Sequence, residues 1–222
     1  MHDNATDPDE RHVATWDDAL RLLMDLRDNE FFSFRGQNSH NWKLGIHHPP
    51  AVTESDLQDG FTQFQKRCME FPKPDYINEG QDWRWLFFAQ HYRLRTRLLD
   101  WTTNPLVALY FAVENILTDR TKLDPDACGT VWALRVRQED FRSERDLPSN
   151  PETQERWIMI NPPSITSRLR RQSGKFSYHP PGDDKALDNI ERRNKNESLV
   201  KVIIGSPNSS PSSLANEIRE RL

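Results

Sequence analysis

Residues 91–113 read HYRLRTRLLDWTTNPLVALYFAV, and the fold is read outward from them. Arg97-Leu98-Leu99-Asp100-Trp101 is a short, mostly apolar run that suits an extended strand. Thr102 and Thr103 follow, and then Asn104-Pro105. Proline has a fixed φ and no N–H, so it is tolerated in the first turn of a helix. Asn104-Pro105 therefore starts a helix whose Leu106, Leu109, Tyr110 and Val113 are expected to face a core. The nucleus is a strand running through two hydroxyl residues into a helix N-terminus.

On the N-terminal side, Thr15 caps a helix with Asp17 and Asp18 in its first turn; Leu20, Leu23, Met24 and Leu26 form its apolar face. Residues 31–35 form a strand stopped by Gly36. A loop over 37–50 carries three histidines and Trp42. Thr53-Glu54-Ser55-Asp56 opens a second helix, with Leu57, Phe61, Phe64, Cys68 and Phe71 at helical spacing, until Pro72 and Pro74 stop it. Residues 82–92 make a third helix, rich in aromatics and so mostly buried. On the C-terminal side, 129–137 reads as a strand covered on both faces, and 143–155 as a loop. Strands follow at 157–160 and 199–204, with helices at 183–196 and 213–222. Helices and strands interleave without βαβ spacing, which predicts an α+β fold of mixed small sheets with flanking helices. The chain divides into a disordered acidic tail (1–12), one domain (13–205), and a linker with a C-terminal helix (206–222).

The 222 residues can bury a full core without disulfides or metals. Thirty Lys and Arg against 34 Asp and Glu give a net charge of −4, which excludes bulk nucleic-acid condensation. The longest apolar run, 105–113, is too short for a membrane helix, and the N-terminus has no apolar signal segment. Cys68 and Cys128 have neither disulfide-framework nor metal spacing. These readings predict a reduced, cytoplasmic protein with no membrane partner. There is no G-x-S-x-G, G-x-G-x-x-G or G-x-x-x-x-G-K-[ST]. His47-His48 lacks a third ligand at metal spacing, so no metal is expected.

Three stretches carry chemistry. In Phe34-Arg35-Gly36-Gln37, a strand-end arginine beside a glycine suits a phosphate or carboxylate held bidentately; the alternative is an arginine paired to a buried aspartate. In the 90–112 block, Thr102 and Asn104 sit where an anion or ligand hydroxyl can be held at a helix start. There Asp100 is expected to be buried and ionised, accepting from Arg97, His91 or nearby backbone N–H groups. The alternative is a packed turn, with Asp100 a cap and His91 a satisfied core histidine. In Arg168-Leu169-Arg170-Arg171-Gln172-Ser173-Gly174-Lys175, four cations in eight residues suit a phosphate backbone or, equally, a solvated basic face.

In order and rough spacing, over about residues 16–205, these stretches together resemble the FRG domain, named for its Phe/Tyr-Arg-Gly motif. The block H-Y-x-x-x-T-R-L-L-D-W-T-x-N-P-L-x-A-L-Y-F-A is its most specific part. The resemblance in turn implies an ADP-ribosyltransferase-like split β-sandwich that binds NAD. Arg35, with Gln37, would hold pyrophosphate. His91, Arg97, Asp100, Trp101, Thr102, Asn104 and Tyr110 would line the ligand, Trp101 or Tyr110 stacking on a flat ring. Gln172 and Glu197 would stand at the catalytic position. Gln172 departs from the Glu that such enzymes use, since a neutral amide cannot stabilise an oxocarbenium-like transition state. The implied activity is NAD-dependent ADP-ribosyl transfer in a toxin or phage-defence setting. Two other readings stand beside it: a non-catalytic nucleotide or nucleic-acid binding module, and a protein-interaction domain using exposed Trp42 and Trp157.

Overall fold

The computed structural model describes residues 9–29, 32–46, 53–70, 77, 82–118, 129–162, 174–181, 199–205 and 217. In chain order its elements are β1 (Asp9–Val13), α1 (Trp16–Asn29), β2 (Phe32–Gln37), α2 (Glu54–Met69), α3 (Asp82–His91), β3 (Leu98–Thr102) and α4 (Pro105–Thr118). Strands β4 (Gly129–Arg135), β5 (Phe141–Ser143), β6 (Ile158–Asn161), β7 (Gly174–Tyr178) and β8 (Leu199–Ile204) follow. The class is α+β. The strands do not form separate small sheets, however: they join in one eight-stranded sheet of order β1-β8-β4-β2-β3-β7-β6-β5. Only the outermost pairs, β1–β8 and β5–β6, are parallel.

The sheet is nearly two. Strands β2 and β3 share a single bridge, Phe34↔Thr102, whereas β2 pairs with β4 over six residues and β3 with β7 over five. Two four-stranded halves, β1-β8-β4-β2 and β3-β7-β6-β5, therefore meet along a narrow seam.

The helices begin where local chemistry dictates. The Thr15 hydroxyl accepts from the Asp18 N–H at 3.1 Å, and Thr53 and Asp56 form a reciprocal capping box at the start of α2. At α4, the Asn104 side chain accepts from the Leu106 N–H at 3.0 Å. Helices α1 and α4 cover one face of the first half, burying Leu23, Phe34, Leu109, Val113 and Val202 together. Helix α3 covers the second half through Trp83 and Phe87 against Leu98, Phe176 and Tyr178. Helix α2 lies on α3, with Phe61, Phe64 and half-buried Cys68 against Ile77, Trp85 and Phe88. That burial raises the Cys68 thiol pKa.

The buried face of α4 is the predicted one in part: Leu109 and Val113 are inside, joined by Ala108 and Ala112, while Leu106 and Tyr110 are exposed. Two glycines explain the phase. A Cβ on Gly36 would lie 2.0 Å from the Ala108 carbonyl oxygen, and one on Gly129 would lie 2.2 Å from that of Ala112. The α4 backbone rests directly on β2 and β4, and only small residues fit that line of contact.

The tail expected over 1–12 is corrected for its last residues: 9–12 belong to β1, which pairs with the apolar β8. The strand is polar because it is an edge; Lys201 donates to Glu10 at 2.9 Å. Residues 1–8, the helix expected over 183–196, and Cys128 lie outside the described residues. Of the expected C-terminal helix only Glu217 is described; it is helical and accepts from the Trp16 N–H at 3.5 Å.

The two kinds of glycine separate in one comparison. Gly36→Ala is expected to destabilise by about 3 kcal/mol or more, because backbone must move to admit the methyl. Gly60→Ala, within α2 with nothing within 4 Å of the added Cβ, is expected to stabilise by about 0.5–1 kcal/mol. Urea denaturation of both variants checks the pair.

Candidate functional site

Past the Phe34↔Thr102 bridge, β2 and β3 part, and a cleft of about 970 Å³ opens between them. Its walls are residues 35–37 of β2 and 98–102 of β3, with β7 supplying Lys175. The loop after β2 adds Asn38, Asn41, Trp42 and Lys43. The last residue of α3, His91, and the turn after it, through Arg93 and Arg95, add to the lining, and α4 adds Phe111.

Arg35 stands in the seam. Its Nη1 donates to the Asp100 carbonyl at 2.8 Å, giving that carbonyl a donor where the ladder has ended. Its Nε is closed off from solvent and has no hydrogen-bond partner among the described residues. Burial lowers the Arg35 pKa from its usual range, while the negative charge of Asp100 opposes the shift. The expected alternative, a salt bridge to a buried aspartate, is not what the structure shows: the contact to Asp100 is to its backbone. The notion that Gly36 leaves room for an anion is also corrected, because α4 fills that space and successive side chains point to opposite faces.

The lining is basic. Among the described lining residues Arg35, Lys43, Arg93, Arg95 and Lys175 are cations and Asp100 is the one carboxylate, in a chain of net charge −4. Lys175 lies 4.4 Å from the Phe141 ring centroid, and burial lowers its pKa.

Asp100 is exposed rather than buried, and neither Arg97 nor His91 donates to it. Its Oδ2 accepts from Gln90 Nε2 at 2.8 Å; Gln90 Oε1 accepts from the Thr96 hydroxyl at 2.6 Å. The Thr96 oxygen in turn accepts from the Leu98 N–H at 3.1 Å. The physical reason is the strand itself: Arg97 is one residue from Leu98, and its Nη1 runs to the Pro180 carbonyl at 3.2 Å, on the β7 side.

The structure accounts for other expected ligand residues in different ways. Gln37 lines the cleft, but its Oε1 accepts from Trp132 Nε1 at 2.6 Å. Trp101 is buried and donates to Ser177 at 2.9 Å, and Ser177 lies 2.9 Å from His179 Nε2. Thr102 lines the cleft and accepts from the Asn104 N–H at 3.0 Å. Asn104 is a helix cap and does not line the cleft. Tyr110 is on the outside of α4, near Glu114, so Phe111 presents the aromatic ring instead. His91 is a half-buried lining residue set edge-on to Tyr92. Trp42 is 53% exposed at the cleft mouth, whereas Trp157 is half-buried with its Nε1 closed off from solvent. Gln172, Glu197 and the basic run 168–171 lie outside the described residues. Gln90 and Thr96 fall within the motif block but are given no role there, and Arg93 and Lys43 have no periodic or motif-like signal of their own.

Among the described residues no helix is long and apolar enough to cross a membrane, and no group of three or more His, Cys, Asp or Glu is placed to hold a metal ion. Residues 30–121 match the family model of the FRG domain. No curated protein and no solved structure matches the chain.

Arg93, on the cleft lining, holds a backbone conformation that costs energy for a residue with a Cβ. Its φ is 62°, the left-handed region, and it ends α3 with Arg93 N–H to Gln90 and Leu94 N–H to Ala89, both at 3.0 Å. Glycine is the usual residue at this position of a helix end. Arg93→Gly is expected to stabilise by about 0.5–1 kcal/mol, the relief of left-handed strain less the entropy glycine loses on folding. Urea denaturation of wild type and variant, run together, checks the sign.

Proposed function

Residues 30–121 are an FRG domain, and on that premise we propose that its cleft binds a nucleotide through the phosphates. One observation carries the reading: among the described residues, Arg35 Nε is buried without a partner in a cleft lined by five cations and one carboxylate. A guanidinium stays charged, so a buried N–H without a partner favours an anionic acceptor. Lys175, on the same sheet face as Trp101 and one strand further on, supplies a second charge for a diphosphate. Trp42 and Phe111 offer ring faces for a base.

NAD fits this donor set through its pyrophosphate. When bound it supplies an ADP-ribosyl group, and transfer of that group in a toxin or phage-defence setting is the enzymatic form of the proposal. The chain's part is to fix the phosphates at Arg35 and Lys175. The reacting end would be the task of Gln172 and Glu197. A second reading, a binding module without catalysis that meets its partner through Trp42, is favoured by the exposure of that ring.

Melting temperature and NAD binding of wild type, Arg35→Ala and Arg35→Lys are measured side by side. Arg35→Ala loses one bond from a charged donor, so it is expected to stay folded at a cost of about 1–3 kcal/mol. NAD binding is expected to fall by roughly 10–100-fold, with little recovery in the lysine variant, which lacks the planar fork. A wild type that binds no nucleotide, or a folded Arg35→Ala that binds as wild type does, overturns the proposal. Wild type that binds NAD yet releases no nicotinamide is the non-catalytic module.

A further inference from the structure

We propose that Asp100 is the acceptor for ligand hydroxyl groups, so that the cleft selects ribonucleotides over phosphate-only anions and nucleotides without ribose hydroxyls. The inference rests on the reading of the cleft as a phosphate site and adds the recognition of the sugar.

The polarity of one hydrogen-bond chain carries it. The Leu98 N–H can only donate, so the Thr96 oxygen accepts and its own proton goes to Gln90 Oε1. With Oε1 so engaged, Gln90 turns Nε2 to Asp100 Oδ2. Every donor in this series points toward the carboxylate, which is held in one orientation. Fixing an exposed side chain costs rotamer entropy. No ion pair within the described residues accounts for it, since no cation is within salt-bridge distance of this carboxylate. Oδ1 has no partner among the described residues, and Asp100 is a residue of the cleft lining.

A carboxylate accepts only from donors, and it repels phosphate at close range. In a lining with five cations it is misplaced for a bare anion. It suits a ligand that carries negative charge at one end and hydroxyl groups at the other. By the register Arg35 and Lys175 stand on one face of the sheet and the Asp100 side chain on the other, and a ligand reaches both through the gap where β2 and β3 part. The phosphates would take Arg35 Nε and Lys175, and the ribose hydroxyls would take Oδ1. Gln90 and Thr96 are positioning residues that act through the carboxylate.

The test is calorimetric titration of the full chain with ADP, 2′,3′-dideoxy-ADP and pyrophosphate. Wild type is expected to prefer ADP to the dideoxy analogue by roughly 10–100-fold, the range for a hydrogen bond to a charged group. Asp100→Asn is expected to cut that preference to a few-fold and to bind pyrophosphate more tightly, because the lining loses its carboxylate. Gln90→Leu keeps the charge but frees its orientation, and its preference is expected to fall between the two. Circular dichroism confirms that each variant is folded. Equal affinity of wild type for ADP and the dideoxy analogue overturns the inference and leaves the phosphate cleft standing. So does a full ADP preference in folded Asp100→Asn. Wild type that binds none of the three ligands overturns the phosphate cleft and this inference together.

Discussion

A backbone carbonyl at the end of a strand ladder must find a donor or face water. In this sheet the carbonyl of Asp100 is reached by Arg35 from the neighbouring strand, and much of the architecture follows from that contact. It lets β2 and β3 part after one bridge without stranding a polar group at the opening. It also fixes the guanidinium between two aromatic strands. By register Lys201, Trp132 and Arg35 stand in one row, and across the seam Trp101 and Lys175 continue it. Cations alternate with indoles along that row, and the Lys201 ammonium is 5.7 Å from the Trp132 ring centroid. The tryptophans are buried, so they serve as low-dielectric walls rather than as stacking surfaces.

Helix α4 binds the halves together. It leaves β3, which belongs to one half, and packs on β2 and β4, which belong to the other. The contact is close enough that both strand glycines and both buried alanines are needed. The glycine after Arg35 is thus a packing residue. It sets the height of α4 over the sheet and, through the short 103–104 connection, the position of β3 beside Arg35.

Much of this was legible in the sequence, for reasons that differ by element. The four helices and strands β2, β3, β4, β6 and β8 have period, caps or apolar runs that announce them, as Thr53 and Asp56 do for α2. The other strands are hidden. β1 is a polar edge whose pairing partner comes about 190 residues later, β5 has three residues, and β7 is embedded in a basic run that obscures Phe176 and Tyr178. In the cleft, Arg35 and Asp100 were visible as residue types, but their partners were not. Spacing cannot show that Arg35 bonds a carbonyl or that Gln90, ten residues away, tethers a carboxylate. On α4 the sequence pattern places Leu109 and Val113 correctly, but size decides the rest: Ala108 and Ala112 face the sheet where larger Leu106 and Tyr110 cannot. Loop residues such as Trp42 and Lys43 follow no period at all.

A sheet joined by one bridge has a line of weakness built into its middle. Backbone amides on either side of the seam belong to two ladders, so hydrogen exchange there reports two opening units instead of one. Whatever spans the seam, holding Arg35 from one half and Lys175 from the other, closes it without adding a strand. Amides of β3 and β2 would then exchange as one unit, and occupancy of the cleft would be written into the cooperativity of the fold.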